Sequence, residues 1–385
     1  MRRLGLSLIV AVALSAAVGS ASGRALALEP GCGATITVDT KLQSDLVNCP
    51  NNGIIIGADN VTLDLNGHVI DGDGTEVTDC PPDEPCDLGV IDFGHQGVTI
   101  KGGGVRGFTF GVFVAGAPDS RVTRLVLSDN LWSGLLVADS SHSAIDAVTA
   151  SANGLTTDQA GIDVFDSQEL RIANNAVFEN GDIGFFIVGL DNSRIENNSI
   201  SGNPEAAIII EGSGNELSHN RVLKGGDGIV VSGDANTVSG NRLSGPSECP
   251  DECGFGISLE GGTGNLVEGN TVVRFHQAGI RIAAFEPEGG PPTVGNTISG
   301  NLIQDSDVDG VLVESTAFDT LLERNIAIGA GDDGIDVQSS ATTVTRNLAL
   351  HNGDLGIGAV PGVTDGGGNR ASANGNPAQC TNVAC

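Results

Sequence analysis

The densest group of side chains able to do acid–base chemistry lies in VVRFHQAGIRI, the segment 272–282. An arginine can hold a carboxylate and a histidine can move a proton. Together they can abstract a proton beside a carboxylate, because the cation offsets the negative charge that builds up there. We predict that Arg281 faces solvent and meets the substrate carboxylate, with Arg274 or His276 as its proton-transfer partner. The alternative is that Arg281 only pairs with acids such as Glu260.

A second group consists of carboxylates in GAGDDGIDV, the segment 329–337. Asp332 and Asp333 are adjacent, and Asp336 is predicted to point outward from a strand. Glycoside hydrolysis uses two carboxylates close together. These three residues are therefore the alternative catalytic group.

Acidic residues also recur just before the glycine that begins each repeat. Such a stripe offers oxygen ligands, and we predict a Ca²⁺ site formed by Asp307, Asp309, Asp332 and Asp333. A solvated edge that keeps the protein soluble is the alternative. The stripe contains Asp182, Glu205, Asp227, Asp307, Asp309, Asp332, Asp333 and Asp354.

The elements that position these groups follow from a repeat. The phrase Gly-aliphatic-x-aliphatic recurs at intervals of 21 to 31 residues, most often 23. Repeats of this length indicate a solenoid, and the short alternating runs within them are typical of strands. We predict about 13 coils of about three strands each in one domain, residues 28–385. The repeat begins at Gly111, Gly134, Gly161, Gly184, Ala207, Gly228, Gly256, Gly279, Gly310, Gly334 and Gly356.

Asparagine forms a second series between these positions. It tolerates the left-handed backbone of a sharp bend, and stacked amides can hydrogen-bond from coil to coil. We therefore interpret the series as scaffold. Its members are Asn175, Asn198, Asn220, Asn241, Asn270, Asn301, Asn325 and Asn347.

From Gly111 to Gly334 the strand that follows each repeat start has one outward position, and six of these ten positions are apolar. A run of apolar residues on an outward face predicts a contact surface for a ligand or a second subunit. Insertions at 75–88, 246–254 and 286–292 could cover it. The apolar six are Phe113, Leu136, Phe186, Ile209, Val230 and Leu312, and the others are Asp163, Ser258, Arg281 and Asp336.

The eight cysteines fall into four local pairs, which predict disulfides in an oxidising compartment. Zinc ligation by the two middle pairs is the alternative. The pairs are Cys32 with Cys49, Cys80 with Cys86, Cys249 with Cys253, and Cys380 with Cys385.

Residues 1–27 have the layout of a secretory signal peptide, and no later apolar segment is long enough to span a membrane. We therefore expect an exported protein, extracellular or periplasmic, without a transmembrane anchor. The formal charge of −30 excludes nucleic acid as a partner, because little could neutralise its phosphates.

The chain resembles the right-handed parallel β-helix repeat proteins in its glycine and asparagine series, called the glycine and asparagine ladders below. The segments IGADNVTLDLNGHVIDGDG at 56–74 and DGGGN at 365–369 add to this resemblance. That superfamily includes pectate lyases, polygalacturonases, alginate epimerases and NosD-type periplasmic proteins. The resemblance covers residues 32–385 and implies an all-β fold, a single right-handed parallel β-helix. The Gly-His-Gly and Arg-x-Lys motifs of polygalacturonases and the Asp-Pro-His-Asp motif of alginate epimerases are missing.

The function expected from this resemblance is binding of an extracellular polysaccharide or cell-surface glycan, and two alternatives stay open: processing of the uronate lyase or epimerase type, or no catalysis. Ca²⁺ is the only cofactor expected. One alternative is a non-enzymatic surface or adhesion protein that uses the apolar face for protein contact. A NosD-like periplasmic metal-handling role is another, weakened because the only Met is Met1. The absence of Tyr and the single Trp132 argue against a broad aromatic platform for sugars.

Overall fold

The computed structural model describes residues 29–75, 86–156, 159–247, 254–284 and 292–385. The expected signal peptide and most of the three insertions lie outside these residues. Within them, every regular element is a β-strand and every pairing is parallel. The prediction of an all-β, single right-handed parallel β-helix is confirmed. The described chain contains no helix that could cross a membrane.

The first sheet holds 14 strands stacked in sequence order, one from each coil, where the sequence predicted about 13 coils. Its strands are Ala34–Ile36, Ile54–Ile56, Leu88–Phe93, Phe110–Ala115, Leu135–Ala138, Ile162–Gln168, Ile183–Asp191, Ala206–Glu211, Asp227–Ser232, Ile257–Glu260, Ile280–Ala283, Val311–Val313, Ile335–Val337 and Ile357–Ala359.

Two further stacks complete each coil, and the strands Thr99–Arg106 and Arg121–Ser128 run through both of them. The second sheet also contains Thr40–Lys41, Thr62–Asp64, Ala144–Asp146, Arg171–Ala173, Arg194–Glu196, Glu216–Ser218, Thr237–Ser239, Leu266–Glu268, Thr297–Ser299, Thr320–Glu323, Thr342–Thr345 and Thr364–Gly367. The third sheet also contains Leu46–Cys49, Val69–Gly72, Thr149–Ser151, Ala176–Phe178, Ser199–Ser201, Arg221–Leu223, Arg242–Ser244, Thr271–Val273, Leu302–Gln304, Ile326–Ile328, Leu348–Leu350 and Arg370–Ser372. A small sheet contains Gly262–Thr263, Thr293–Val294 and Ala317–Phe318.

Strand register in the first sheet confirms the predicted outward column. Its ten positions pair in one unbroken series from Phe113 to Asp336. The residues on either side point into the core, as Ile208 and Ile210 do with no exposed surface. Apolar residues therefore stack along the interior from coil to coil, and their burial is the main stabilising term.

The repeated glycine is required by close approach between coils. A Cβ at Gly228 would lie only 2.1 Å from the carbonyl oxygen of Gly256 in the next coil. A side chain at Gly228 would push these two coils apart, whereas the coil that contains Ala207 accommodates a methyl group at the equivalent position.

The asparagine ladder is confirmed as a hydrogen-bonded scaffold. The side chain of Asn241 donates from Nδ2 to the carbonyl of Leu217 at 2.8 Å and to Oδ1 of Asn270 at 3.0 Å. Its Oδ1 accepts from the backbone N and Nδ2 of Asn220 at 2.8 and 3.1 Å. The same pattern continues to Asn369.

One reason given for the ladder was wrong. The ladder asparagines do not adopt positive φ; the residue before each one does, as at Asn197 and His219, both with φ of 56°. The bend is therefore made by the preceding residue, while the buried amides of Asn198 and Asn220 satisfy backbone groups inside the coil.

Two further asparagine ladders, at other corners of the coils, were not predicted from the sequence. In one, Nδ2 of Asn130 donates to Asn153 at 2.8 Å, and Asn153 donates to Asn180 at 3.0 Å. In the other, Nδ2 of Asn215 donates to Oδ1 of Asn236 at 3.1 Å. Their spacing of 21 to 27 residues was a signal available in the sequence.

Two of the four predicted disulfides are confirmed, Cys32 with Cys49 and Cys380 with Cys385. Cys86 is also disulfide-bonded. Cys80, Cys249 and Cys253 lie outside the described residues.

Candidate functional site

Aromatic side chains gather on the early coils of the first sheet. Phe110, Phe113 and Trp132 form the aromatic cluster, in which the ring of Phe110 meets Trp132 edge-on at 5.4 Å and Phe113 at 6.0 Å between centroids. Trp132 is 37% exposed. Phe165 and Phe186 form a second edge-on pair at 6.0 Å, two and three coils further on. The sheet thus brings together aromatic residues that are scattered in the sequence.

A buried carboxyl lies within this aromatic region. Asp163 pairs in register with Leu136 on one side and Phe186 on the other, and it is only 5% exposed. Its carboxylate accepts a hydrogen bond from the hydroxyl of Ser133, the neighbour of Trp132. Burial raises the pKa of Asp163 to about 7, and the hydrogen bond from Ser133 opposes that shift. Asp163 therefore exchanges its proton near neutral pH.

The six apolar outward residues are less exposed than predicted. Val230 is buried, and Phe113, Leu136, Phe186, Ile209 and Leu312 are half-buried. The face is therefore an apolar surface of moderate exposure.

Arg281 does not face solvent as predicted, because it is only 9% exposed. Its Nε donates to Glu314 at 2.7 Å and its Nη1 to Glu260 at 3.2 Å. The guanidinium also lies 4.8 Å from the ring centroid of Phe255. The alternative that Arg281 pairs with Glu260 is therefore confirmed, and the residue is held between two carboxylates.

Asp227 lies in the electrostatic field of this arginine. Burial raises the pKa of Asp227 to about 6, and repulsion from Glu260 adds to the rise. The hydrogen bond from the backbone N of Phe255, at 2.6 Å, and the charge of Arg281 both oppose it. A second near-neutral carboxyl thus lies on the first sheet.

His276 and Arg274 occupy a different place, the corner at which the chain leaves the third sheet. They line a cavity of about 380 Å³, the corner cavity. Nδ1 of His276 lies 2.5 Å from Oδ2 of Asp307, and its Nε2 lies 3.2 Å from the carbonyl oxygen of Pro246. Arg281 is not among the residues that line this cavity. The structure therefore separates Arg281 from its two predicted partners.

The predicted calcium ligands are also partly separated. The carboxylate oxygens of Asp332 and Asp333 lie within 4.8 Å of each other and of Asp354, which was not among the predicted ligands. Asp307 contacts His276 instead. Asp309 is 6% exposed and accepts a hydrogen bond from the backbone N of Asp333 at 3.1 Å.

Several acids of the stripe have raised pKa values. Burial, with repulsion from neighbouring aspartates, raises the pKa of Asp309 to about 7 and that of Asp333 to about 6. Burial also raises the pKa of Asp336, which belongs to the outward column rather than to the stripe. Desolvation, followed by a hydrogen bond with Asp182, raises the pKa of Glu205. The stripe therefore carries fewer negative charges at neutral pH than its composition suggests.

Two family models match the chain. The right-handed beta helix region matches residues 184–352, and the periplasmic copper-binding protein (NosD) matches residues 52–248. Comparison with curated proteins finds no match.

Solved structures with a similar fold include three proteins of low sequence identity. DFA-IIIase from Arthrobacter chlorophenolicus A6, in complex with GF2, is 15% identical with a TM-score of 0.46, and the match covers 67% of each chain. The Azotobacter vinelandii mannuronan C-5 epimerase AlgE4 A-module is 16% identical with a TM-score of 0.42, covering 80% of each chain. The Dettilon tailspike protein (gp208) is 16% identical with a TM-score of 0.38, covering 91% of this chain and 61% of the tailspike. Likenesses this low say nothing about the activity of this chain.

Proposed function

The chain belongs to the NosD family of right-handed β-helix repeat proteins, and on that architecture we propose an extracytoplasmic protein that binds a polysaccharide along its first sheet. The aromatic cluster beside Asp163 is the observation that carries this proposal. Sugar rings have an apolar face and a rim of hydroxyls. An aromatic surface can pack against the apolar face, and a carboxyl can accept hydrogen bonds from the rim.

The dimensions of the face suit an extended chain of sugars. Seven strand intervals separate Phe113 from Arg281 in the outward column. At about 4.8 Å between strands, this is about 34 Å. A glycan lying across the strands would meet the aromatic cluster at one end of this span and the half-buried Glu260, the partner of Arg281, at the other.

Processing of the glycan is assigned to carboxyls rather than to Arg281. A guanidinium stays protonated at physiological pH and cannot serve as a base, and the one at Arg281 is already bonded to two carboxylates. Asp163 and Asp227 have pKa values of about 7 and about 6, the range in which a group can both give and take a proton. The uronate lyase or epimerase chemistry expected from the sequence would use one of these two carboxyls as a proton-transfer group, because three strand intervals of about 4.8 Å separate them.

The location proposed is the periplasm or the exterior of the cell. The two described disulfides, between Cys32 and Cys49 and between Cys380 and Cys385, support an oxidising compartment.

The copper in the NosD family description does not fit the described residues. Copper favours imidazole and thioether ligands. In the described ranges, the group of three or more potential metal ligands is Asp332, Asp333 and Asp354, all carboxylates. Oxygen ligands suit Ca²⁺ instead, so calcium remains our proposal for any bound metal.

The test is a binding and turnover screen with polygalacturonate, alginate, xylan and inulin. Gel-retardation electrophoresis would measure binding, and ultraviolet absorbance with a reducing-end assay would measure cleavage. Trp132→Ala should weaken binding of the retained polysaccharide by about tenfold, because a packed ring contributes about 0.5–1.5 kcal/mol beyond the area that it buries. Phe318→Ala is the matched control, since Phe318 is 43% exposed and lies on the small sheet.

Binding that survives Trp132→Ala unchanged, or no retention by any polysaccharide, would overturn the proposal. Light scattering on the same variants measures the competing role, contact of the apolar face with a second subunit. A dimer that dissociates on Trp132→Ala, without any glycan binding, would support the adhesion alternative.

A further inference from the structure

The corner cavity collects basic side chains in a strongly acidic protein. Its lining comes from successive coils that stack at the end of the third sheet, and it includes Lys224, Arg274 and His276. The chain has 18 lysines and arginines against 48 acidic residues, so a cavity whose described lining holds three basic groups and one carboxylate is unusual in it. The full lining is Leu223, Lys224, Ser244, Gly245, Pro246, Ser247, Arg274, His276 and Asp307.

Among the described residues that line the cavity, the one carboxylate is already engaged. Asp307 lies 2.5 Å from Nδ1 of His276. The other ring nitrogen faces the carbonyl oxygen of Pro246 at 3.2 Å. Asp307 is therefore already paired with His276, and it is not available to Lys224 or Arg274.

Arg274 and Lys224 have donors to spare. The Nη2 of Arg274 donates to the hydroxyl of Ser244 at 3.2 Å, and within the described ranges Arg274 has no carboxylate partner. Lys224 forms no ion pair with any described residue. Most other arginines of the described chain, such as Arg171 and Arg324, pair with acids. The cavity therefore presents unpaired cationic donors.

From this geometry we infer that the corner cavity binds an oxyanion, a carboxylate, sulfate or phosphate group. A guanidinium offers parallel donors that match the oxygens of such a group, and the ammonium of Lys224 adds a point charge. The cavity volume of about 380 Å³ exceeds that of a bare anion and accommodates a sugar that carries one. This site is separate from the first sheet, so the inference does not depend on the proposed function.

The probes are inorganic sulfate, inorganic phosphate, galacturonate and, as the uncharged comparison, galactose. Isothermal titration calorimetry at constant ionic strength would measure their binding to the full chain. Saturable binding of at least one oxyanion, with none of galactose, is expected. Binding of sulfate or phosphate alone assigns the site to a free anion, and binding of galacturonate alone assigns it to an acidic sugar.

The variant Arg274→Asn should weaken binding at least about tenfold, equivalent to about 1.4 kcal/mol. Asparagine suits the backbone, because φ at Arg274 is 58°. Arg324→Asn is the matched control: φ at Arg324 is 55°, the charge change is the same, and Arg324 pairs with Glu323 away from the cavity. Lys224→Asn, at φ of 56°, is a second variant for the case in which Arg274→Asn does not fold.

An equal loss in Arg274→Asn and Arg324→Asn would show a bulk charge effect and overturn the inference. The inference also fails if no oxyanion binds saturably, if galactose binds as well as galacturonate, or if a folded cavity variant binds like the wild type.

Discussion

Ser133 donates a hydrogen bond from its hydroxyl to the carboxylate of Asp163 in the neighbouring coil, on the outward face of the first sheet. Both residues are almost fully buried, although outward positions of a solenoid normally meet water. The hydrogen bond connects Asp163 to the aromatic cluster, because Ser133 directly follows Trp132 in the sequence.

The first prediction concerns the pH dependence of stability. Burial raises the pKa of Asp163 to about 7, whereas a carboxyl in an unfolded chain titrates near about 4. Between about pH 4 and 7, the carboxyl of Asp163 keeps its proton in the folded state and loses it in the unfolded state. The free energy of unfolding should therefore fall as pH rises, by about 1.4 kcal/mol per pH unit for one proton.

Asp163→Asn removes this titration while keeping an oxygen that can accept from Ser133. The variant should lose part of the wild-type slope between about pH 4 and 7 and be more stable than the wild type above that range. Urea denaturation at several pH values measures both effects. Asp166→Asn, at an exposed position three residues away, is the control. Identical slopes for Asp163→Asn and the wild type would contradict the burial argument.

The second prediction separates the two roles found at each bend. Asn198→Ala removes the amide that donates to the carbonyl of Ile172 and to Asn220, and it should cost about 1–3 kcal/mol. Asn197→Gly keeps the positive φ next to it and should change stability by less than about 1 kcal/mol. Thermal and urea unfolding of the two variants would show which residue carries the hydrogen-bond ladder. A larger loss of stability in Asn197→Gly than in Asn198→Ala would contradict this assignment of the two roles.

The third prediction concerns Arg281. Arg281→Met leaves Glu260 and Glu314 without their shared cation in a largely buried place. We expect a loss of about 2–3 kcal/mol, below the value for fully buried pairs because both glutamates keep some contact with solvent. Arg194→Met is the control, since Arg194 is exposed and its pair with Glu216 should contribute less than about 1 kcal/mol. Equal melting temperatures for these two variants would indicate that Arg281 faces solvent, as expected from the sequence.

The fourth prediction concerns calcium. Ca²⁺ should raise the melting temperature of the wild type, and Asp354→Asn should remove that increase, because Asp354 completes the group with Asp332 and Asp333. Asp307→Asn, a member of the set predicted from sequence alone, should keep it. A calcium effect that depends on Asp307 and not on Asp354 would favour the sequence-based set.

The regular part of the molecule was predictable because its causes repeat. One Gly-aliphatic-x-aliphatic phrase per coil was enough to place Phe113, Asp163 and Arg281 in one outward column, and the strand register confirms it. Repetition also showed that Asn241 belongs to a scaffold. It did not show which residue of the bend takes positive φ, because both positions can hold asparagine.

The site depended on contacts that no local pattern encodes. Arg281 is buried because Phe255 and Glu314 reach it from the preceding and following coils, and these residues are 26 and 33 positions away in the sequence. The corner cavity likewise joins Lys224 to Asp307 across several coils. Such contacts depend on the conformation of the loops between coils, and the sequence repeat does not determine that conformation.

The most direct test of the central claim uses the fluorescence of Trp132, the only tryptophan in the chain. Its ring belongs to the aromatic cluster, so emission reports on the proposed binding face alone. Titration with the polysaccharide retained in the binding screen should change the emission saturably, with the same midpoint as calorimetric binding, and Phe113→Ala should shift both midpoints together. Calorimetric binding that leaves the emission of Trp132 unchanged would show that the glycan binds elsewhere and would contradict the account.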